Sequence, residues 1–262
     1  MKDPFSVDGK RCLITGGTSG IGLAAAKHLA GRGATVVISG RRESGHAIAE
    51  EIGATFIQAD VSKPDQVKRL IKEGAEALIG KIDFLFLNAG MSNRDKMIDD
   101  LTVEEMRELF AINFDHVFAG IHYAVPYMTE YGSILLAGSA AGNTTGATFA
   151  DYAPSKAALS MLARTVGIEL GPRKIRVNCL VPGLVITPMI HPGTHDWPFA
   201  NQLIVGEPRQ PEEIAPFIQL MASDASRPMT GCDIVCDDGI SAGFSIPAMT
   251  AVAEKSEREG IV

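Results

Sequence analysis

The chain has 262 residues, 46% of them hydrophobic, which is enough for one well-buried domain or two small ones. It carries 24 Lys and Arg residues against 31 Asp and Glu residues, and the formal charge of −7 argues against general affinity for nucleic acid or anionic membranes. No stretch approaches the roughly 18 consecutive apolar residues of a membrane span, and the first residues hold no apolar signal core. We therefore expect a soluble, cytoplasmic protein without nucleic-acid or membrane partners.

The four cysteines are expected to be free thiols. Cys12 and Cys179 lie in apolar runs that are typical of buried strands. Cys232 and Cys236 are four residues apart in a strand-like segment, which separates them by roughly 13 Å. A disulfide needs Cα atoms within about 7 Å, so this pair cannot close within one strand. Free cysteines fit a reducing compartment.

Short apolar runs alternate with segments of helical periodicity along almost the whole chain. A first helix follows a glycine-rich turn, because Ile21, Ala25 and Leu29 recur at four-residue spacing. Strands are expected over residues 11–15, 35–39, 55–59, 82–87, 133–137, 175–181 and 233–236. Further helices are expected over residues 44–52, 65–79, 103–131 (with a bend at Pro126), 151–170 and 212–223.

Apolar strands that alternate with crossover helices predict a parallel sheet covered by helices on both faces. The expected fold is therefore α/β, a Rossmann-type doubly wound parallel sheet of about seven strands in a single domain, residues 1–262. Two segments depart from the alternation. Residues 187–209 are long for a connection and are interpreted as a substrate loop. Residues 244–262 carry a charged run and are interpreted as a solvated helix face or frayed tail.

A glycine cluster, Thr15 to Gly22, separates the first strand from the first helix. Gly16 permits a tight turn, Gly20 allows the backbone to approach a ligand, and Gly22 allows the helix and strand to pack closely. The N-terminus of the helix then offers N–H groups and a positive dipole end to phosphates. This position favours dinucleotide binding; the alternative is a plain turn.

The end of the second strand bears on the choice of cofactor. Folds that select NAD commonly carry an acidic residue about 20 residues after the turn, where it bonds the ribose 2′-hydroxyl. Here Gly40 is followed by Arg41 and Arg42, which can bind a 2′-phosphate. NADP(H) is therefore favoured and NAD(H) stays possible; the alternative is two solvated surface arginines.

Four polar residues are candidates for the chemistry. Tyr152 and Lys156 are four residues apart on one face of an expected helix, and a neighbouring ammonium stabilises a phenolate. Ser139 follows the strand 133–137 at the sheet edge where such folds bind ligands. Asn113 lies inside the helix expected over 103–131, where an asparagine is ordinarily just solvated or bonded to the backbone.

The order and spacing of these motifs resemble the short-chain dehydrogenase/reductase family over about residues 7–243. By resemblance, Asn113, Ser139, Tyr152 and Lys156 form a catalytic tetrad. Leu87 stands where many members have a further asparagine. The resemblance and the chemistry of the residues together give these cofactor-binding candidates: Gly16, Thr18, Ser19, Gly20, Ile21, Gly22, Arg41, Arg42, Asp60, Val61, Asn88, Ala89, Gly90, Tyr152, Lys156, Pro182, Gly183, Val185 and Thr187.

The resemblance also implies roles. Tyr152 gives or takes the proton at the substrate oxygen and Ser139 polarises that oxygen. Lys156 assists the tyrosine and bonds the nicotinamide ribose, while Asn113 anchors a water chain that leads to Lys156. It further implies a homo-oligomer, a tetramer or dimer, formed through the helices at about 103–131 and 151–170.

The expected activity is hydride transfer between NADP(H) and a small, mainly apolar ketone or secondary alcohol. The apolar loop residues Met189, Ile190, Trp197, Phe199, Leu203 and Ile204 carry the substrate expectation, with Phe149 beside Tyr152. Arg94 is the nearest cation for an anionic substrate group. Alternatives are a 3-oxoacyl thioester reductase acting on a carrier protein, an NAD-dependent alcohol or sugar dehydrogenase, and a non-catalytic nucleotide-binding regulator. His191 and His195 could be read as metal ligands, but no metal is expected.

Overall fold

The computed structural model describes residues 3–92, 96–190, 207–243, 245–246, 249–250, 254–255 and 258. The strands in this part of the chain are β1 (Arg11–Thr15), β2 (Thr35–Gly40), β3 (Thr55–Gln58), β4 (Ile82–Leu87), β5 (Met128–Ala137), β6 (Arg176–Pro182) and β7 (Asp233–Cys236). They form one sheet in the order β3-β2-β1-β4-β5-β6-β7, and every neighbouring pair is parallel. The predicted doubly wound parallel sheet is confirmed.

Helices cover both faces of the sheet, and each face has its own apolar core. Side chains of β1 alternate between the two cores, with Leu13 in one and Cys12 and Ile14 in the other. The helices are α1 (Gly20–Ala30), α2 (Gly45–Ile52), α3 (Pro64–Ala77), α4 (Val103–Phe110), α5 (His116–Ala124), α6 (Tyr152–Leu170) and α7 (Pro211–Ala222). Helices α3, α5 and α6 pack on the Leu13 face, while α1, α2 and α7 pack on the opposite face.

The single helix expected over 103–131 is wrong in two respects. A π-helical turn, Ala111–Asp115, separates α4 from α5. Helix α5 ends at Ala124, because Pro126 has no N–H group with which to continue the helical ladder. Met128 then pairs with Ile82 and opens β5, so the residues expected to close the helix begin a strand instead.

The sheet order creates a crevice at one edge. From β1 the chain moves outward through β2 and β3, then returns to place β4 on the other side of β1. The chain therefore leaves β1 and β4 towards opposite faces of the sheet, where α1 and α5 lie, and the carboxyl ends of these two strands are the usual ligand-binding point of such sheets.

The four cysteines are free. Among the helices that the structure describes, none combines the length and the apolar character needed to cross a bilayer.

Candidate active site

A cleft of about 780 Å³ opens at the carboxyl edge of the sheet, over the adjacent ends of β1 and β4. It brings together nearly all of the sequence-predicted site residues. Two of them do not line it. Gly22 packs against Gly16 and Asn88 on the side of the turn away from the cleft, and Asn113 is fully buried. The predicted residues that line the cleft are Gly16, Thr18, Ser19, Gly20, Ile21, Arg41, Arg42, Asp60, Val61, Asn88, Ala89, Gly90, Ser139, Tyr152, Lys156, Pro182, Gly183, Val185 and Thr187.

The glycine turn has the geometry that an anion cradle requires. Gly16 and Gly20 have φ values of +66° and +53°, in the left-handed region that favours glycine. Thr187 lies over the turn, and a methyl group on Gly20 would be 3.1 Å from its Cγ2 atom. Ser19, at the N-cap of α1, makes no side-chain capping bond. The start of α1 can therefore accept a phosphate.

The loop after β4 is bonded tightly to this turn. Asn88 Nδ2 donates to the carbonyl oxygens of Thr15 (3.1 Å) and Gly16 (3.2 Å). The Thr15 hydroxyl oxygen accepts the backbone N–H groups of Asn88 (2.9 Å) and Ala89 (3.1 Å). A methyl group on Gly22 would lie 2.4 Å from Asn88 Nδ2, so only glycine fits there. These contacts fix the floor of the cleft.

The far end of the cleft fits a nucleoside. Arg41 and Arg42 line it with exposed side chains. Ser39 also lines it, and its buried hydroxyl has no partner among the described residues, which is the state expected of a group that awaits a ligand. Burial tends to raise the pKa of Asp60, but the bonds from Ser62 and the charge of Arg41 outweigh it and keep that pKa below its usual range. The residues present therefore fit a nicotinamide dinucleotide.

Ser139, Tyr152 and Lys156 meet at the other end. Lys156 is 4% exposed, and its ammonium donates a 2.7 Å hydrogen bond to the carbonyl oxygen of Ala137. This bond holds the ammonium 5.5 Å from the centre of the Tyr152 ring. Ser139 accepts the N–H of Ala141 (3.2 Å), a bond that leaves its own hydrogen available to a substrate oxygen. The arrangement can polarise a carbonyl group and deliver a proton to it.

Asn113 lies beneath this wall, within the π-helical turn. Its amide oxygen accepts the N–H of Met91 (2.9 Å), and its amide nitrogen donates to the Met91 carbonyl (3.0 Å) and to Ser155 Oγ (3.1 Å). A methyl group on Gly90 would lie 3.3 Å from Asn113 Oδ1 and 3.5 Å from Lys156 Nζ. The asparagine therefore joins the loop after β4 to α6, and Gly90 lies close to both Asn113 and Lys156. Its anchoring of a water chain stays a prediction.

Three contributing residues were missed from the sequence. Asp151 caps α6 by accepting the N–H of Tyr152 (2.7 Å), and an aspartate directly before a helix is a recognisable start signal. Ser155 donates to the Tyr152 carbonyl (2.7 Å) and accepts from Asn113. His116 is buried and bonded to Thr15. A serine inside a helix and a histidine among apolar residues give no sequence signal that distinguishes them from ordinary core residues.

Some predicted residues lie outside the described part of the chain: Arg94, His191, His195, Trp197, Phe199, Leu203 and Ile204. Within the described residues, no group of three or more His, Cys, Asp or Glu side chains is arranged to hold a metal ion.

Comparison with known proteins agrees with this geometry. Residues 16–241 match the family model described as enoyl-(acyl carrier protein) reductase. The chain is 34% identical over 242 residues to a mitochondrial borneol dehydrogenase from Lavandula x intermedia, covering 90% of this chain and 92% of the relative. It is 32% identical over 260 residues to a 3-alpha-(or 20-beta)-hydroxysteroid dehydrogenase from Mycobacterium bovis, covering 97% of each. Among solved structures, a short chain dehydrogenase from Burkholderia cenocepacia J2315 in complex with NADP has a TM-score of 0.86 and 31% identity, covering 90% of this chain and 99% of that one.

Proposed function

Because the chain belongs to the short-chain dehydrogenase/reductase family, and is thus an NAD(P)-dependent enzyme of CH–OH groups, we propose that it reduces a small, mainly apolar ketone with NADPH or oxidises the matching secondary alcohol. The observation that carries the proposal is the convergence of Ser139, Tyr152 and Lys156 on one wall of a cleft that fits a dinucleotide at its other end.

The proposed chemistry divides between cofactor and protein. The nicotinamide supplies or accepts the hydride. The Tyr152 hydroxyl donates its proton to the substrate oxygen in reduction and the phenolate takes it back in oxidation. The Ser139 hydroxyl donates a hydrogen bond to the same oxygen. The buried ammonium of Lys156, fixed by Ala137, stabilises the phenolate that reduction leaves behind.

NADP(H) is the proposed cofactor. Two observations support this proposal: Arg41 and Arg42 line the cleft with exposed guanidinium groups that can bind a 2′-phosphate, and the Burkholderia structure to which this chain is similar contains NADP. Replacing either arginine tests this assignment directly.

The substrate proposal rests on the walls of the cleft. Among its described lining residues, the charged ones are Arg41, Arg42, Asp60 and Lys156, which belong to the cofactor end and the catalytic wall. The other lining side chains are mainly apolar, although Thr144 and Thr145 are among them, and the Phe149 ring lies 6.0 Å from the Tyr152 ring. The large apolar ones are Met91, Phe149, Leu184, Met189, Ile190 and Ile240. Such a lining favours an uncharged, apolar substrate, and the two dehydrogenases to which this chain is similar are named for cyclic, largely apolar alcohols.

Residues 187–209 are proposed to form a substrate loop of a single catalytic domain. The two ends of this segment are bonded to each other, since Ile186 N–H donates to the Arg209 carbonyl (2.8 Å) and Arg209 N–H to the Leu184 carbonyl (2.9 Å). The segment is thus closed at its base beside the cleft.

Homo-oligomerisation is proposed through α5 and α6. These helices expose large apolar side chains, Phe118, Met161 and Ile168, with 56%, 57% and 79% of their surface accessible. Several large exposed apolar side chains on two helices are consistent with an interface. Free cysteines support the proposed cytoplasmic location.

Reduction of a 3-oxoacyl thioester on a carrier protein is the second candidate, because the matching family model is described by a carrier-protein enzyme. An acidic carrier would need a basic rim. Arg209, at the base of the loop, is already paired with Asp238 (2.7 Å) and Glu213 (3.1 Å). We therefore favour the small ketone.

A substrate panel separates the two. Cyclic apolar ketones, charged oxoacids and 3-oxoacyl thioesters are each offered with NADPH and NADH, and the nicotinamide absorbance is followed. We expect the cyclic ketones with NADPH to give the highest kcat/KM. A thioester with higher kcat/KM than every cyclic ketone would replace the first candidate by the second.

A further inference from the structure

A buried histidine lies directly behind the catalytic wall and has no part in the chemistry proposed above. His116 is 1% exposed and stands at the start of α5, immediately after the π-helical turn. Its backbone N–H bonds to the Ala111 carbonyl, five residues back, as the π turn requires. Its ring Nδ1 bonds to the Ile112 carbonyl (2.5 Å). The imidazole thus occupies the carbonyl that the backbone of residue 116 would bond in a regular α-helix.

The other ring nitrogen reaches the cofactor turn. His116 Nε2 lies 3.2 Å from the Thr15 hydroxyl oxygen. That oxygen already accepts two backbone N–H groups, from Asn88 and Ala89, so its two acceptor positions are filled. The Thr15 hydrogen must therefore point at His116 Nε2, which has to be the acceptor.

The bonding fixes the protonation state. A carbonyl oxygen can only accept, so Nδ1 carries the hydrogen towards Ile112 while Nε2 stays unprotonated. Burial lowers the pKa of His116 to about 4, opposed by the bond to Ile112 and assisted by the charge of Lys156. Lys156, on α6, is the charged group that acts on the ring; the neighbouring Asp115 is exposed to solvent. The imidazole is neutral across the physiological range.

The two bonds lead to two different parts of the site. The bond to Thr15 positions the hydroxyl group that holds the backbone of Asn88 and Ala89 at the floor of the cleft. The bond to Ile112 stabilises the π-helical turn, in which the next residue, Asn113, is bonded to Met91 and Ser155.

We propose that His116, as the neutral Nδ1–H tautomer, is a positioning residue that aligns the cofactor turn with the catalytic wall through two separable hydrogen bonds. The inference rests on the proposed function, since it assumes that the cleft binds a nicotinamide cofactor beside Tyr152. A histidine that only fills space would need neither bond.

Two substitutions separate the bonds. The amide of His116→Gln reaches about as far as Nε2, so it can accept from Thr15 but loses the bond to Ile112. The shorter amide of His116→Asn can donate to Ile112 but loses Thr15. We expect His116→Gln to lower kcat at least about 10-fold with the NADPH dissociation constant within threefold of wild type. His116→Asn should raise that dissociation constant at least about 10-fold with a smaller effect on kcat.

Histidine substitutions elsewhere provide the matched control. His28 joins α1 to α7 through Gln219 (2.7 Å), away from the cleft. His28→Gln and His28→Asn should change Tm without changing kcat or the NADPH dissociation constant measured by calorimetry. If the His116 variants behave like the His28 variants, or if both lose kcat and affinity in equal measure, the two-bond proposal is overturned.

A measurement on the wild-type protein is independent of turnover and of whether the variants fold. In a long-range ¹H–¹⁵N spectrum of ¹⁵N-histidine-labelled protein, His116 should give the Nδ1–H tautomer at pH 7 and keep it down to about pH 5. An Nε2–H tautomer or an imidazolium at pH 7 would overturn the proposal. If wild type reduces no ketone while this spectrum and the NADPH affinities are as expected, the proposed function fails and the role of His116 towards the cofactor stands.

Discussion

Cofactor choice can be changed by substitutions at the end of β2. A hydrogen bond to a charged group contributes about 1.5–3 kcal/mol, and each 1.4 kcal/mol is a factor of about ten. Arg41 and Arg42 are exposed, which places each at the low end of that range. We expect Arg41→Ala and Arg42→Ala each to raise the KM for NADPH about 10-fold, and the double variant about 10²-fold. The KM for NADH should change less than about threefold, because NADH has no 2′-phosphate.

An aspartate at position 40 should move the cofactor preference further towards NADH, but there is little room for its side chain beside Thr18. A Cβ atom on Gly40 would lie 2.8 Å from Thr18 Oγ1 and 2.9 Å from Thr18 Cγ2, so Gly40→Asp alone strains the glycine turn. The same Cβ would be 3.4 Å from Thr18 Cβ, an ordinary contact. Gly40→Asp combined with Thr18→Ala should therefore favour NADH more than Gly40→Asp alone.

Initial rates with both cofactors, at one fixed ionic strength, provide the assay, since salt screens exposed charges. Arg32→Ala is the matched control, because Arg32 is also exposed and does not line the cleft. A wild type with a lower KM for NADH than for NADPH would refute the reasoning. An arginine variant that raises the KM for NADPH and the KM for NADH by the same factor would also refute it.

Two further predictions concern packing and pH. Gly22→Ala should lower Tm by several degrees and weaken NADPH binding, because the added methyl would lie 2.4 Å from both Asn88 Nδ2 and the Gly16 carbonyl oxygen. Overpacking costs about 1–3 kcal/mol, and each kcal/mol lowers Tm by about 2–4 °C. An unchanged thermal unfolding curve would contradict this prediction. Burial lowers the pKa of His116 to about 4, below the value of about 6.5 in the unfolded chain. Between these two pH values the unfolded chain therefore binds more protons than the folded one. The free energy of unfolding should fall as the pH decreases through this window. Denaturant titrations at several pH values give the free energy of unfolding, which should change less steeply with pH over that window in His116→Gln than in wild type. Equal dependence on pH in the two proteins would argue against a buried neutral imidazole.

Much of the fold could be predicted because two simple patterns carry it. Strands buried on both faces are nearly continuous apolar runs, as in residues 84–87 of β4, and such runs alternate with segments of helical period. Glycine at positions 16, 20 and 22 marks the cofactor turn because its positions demand close approach or positive φ.

The π-helical turn at 111–115 and the start of β5 at 128–132 could not be predicted in the same way. A π turn inserts one residue without changing the apolar pattern enough to be visible, and here the imidazole of His116 supports it. The start of β5 carries Tyr131 at φ +65° before Gly132, an irregular entry to a strand that has no period of two. Tertiary contacts, among them Lys174 over the Tyr131 ring at 5.0 Å, accompany that conformation.

The side chains proposed to react could be predicted from the sequence, but the hydrogen bonds that position them could not. Tyr152 and Lys156 share a helix face at a spacing that sequence reveals. That the lysine is held by the Ala137 carbonyl, and that Ser155 joins Asn113 to α6, depends on partners 19 and 42 residues away in the chain.

The central claim is that Tyr152 exchanges the proton while NADP(H) exchanges the hydride. It is tested most directly by comparing wild type with Tyr152→Phe in NADPH-dependent reduction of a cyclic ketone, with NADPH affinity measured separately by calorimetry. Tyr131→Phe is the control, since that ring is exposed and stacked under Lys174 and Arg227 away from the cleft. We predict a loss of at least about 10²-fold in kcat for Tyr152→Phe, the usual scale for general acid–base catalysis, with NADPH affinity within threefold and Tyr131→Phe unchanged. A Tyr152→Phe variant that folds, binds NADPH and turns over at a rate near that of wild type would contradict the account.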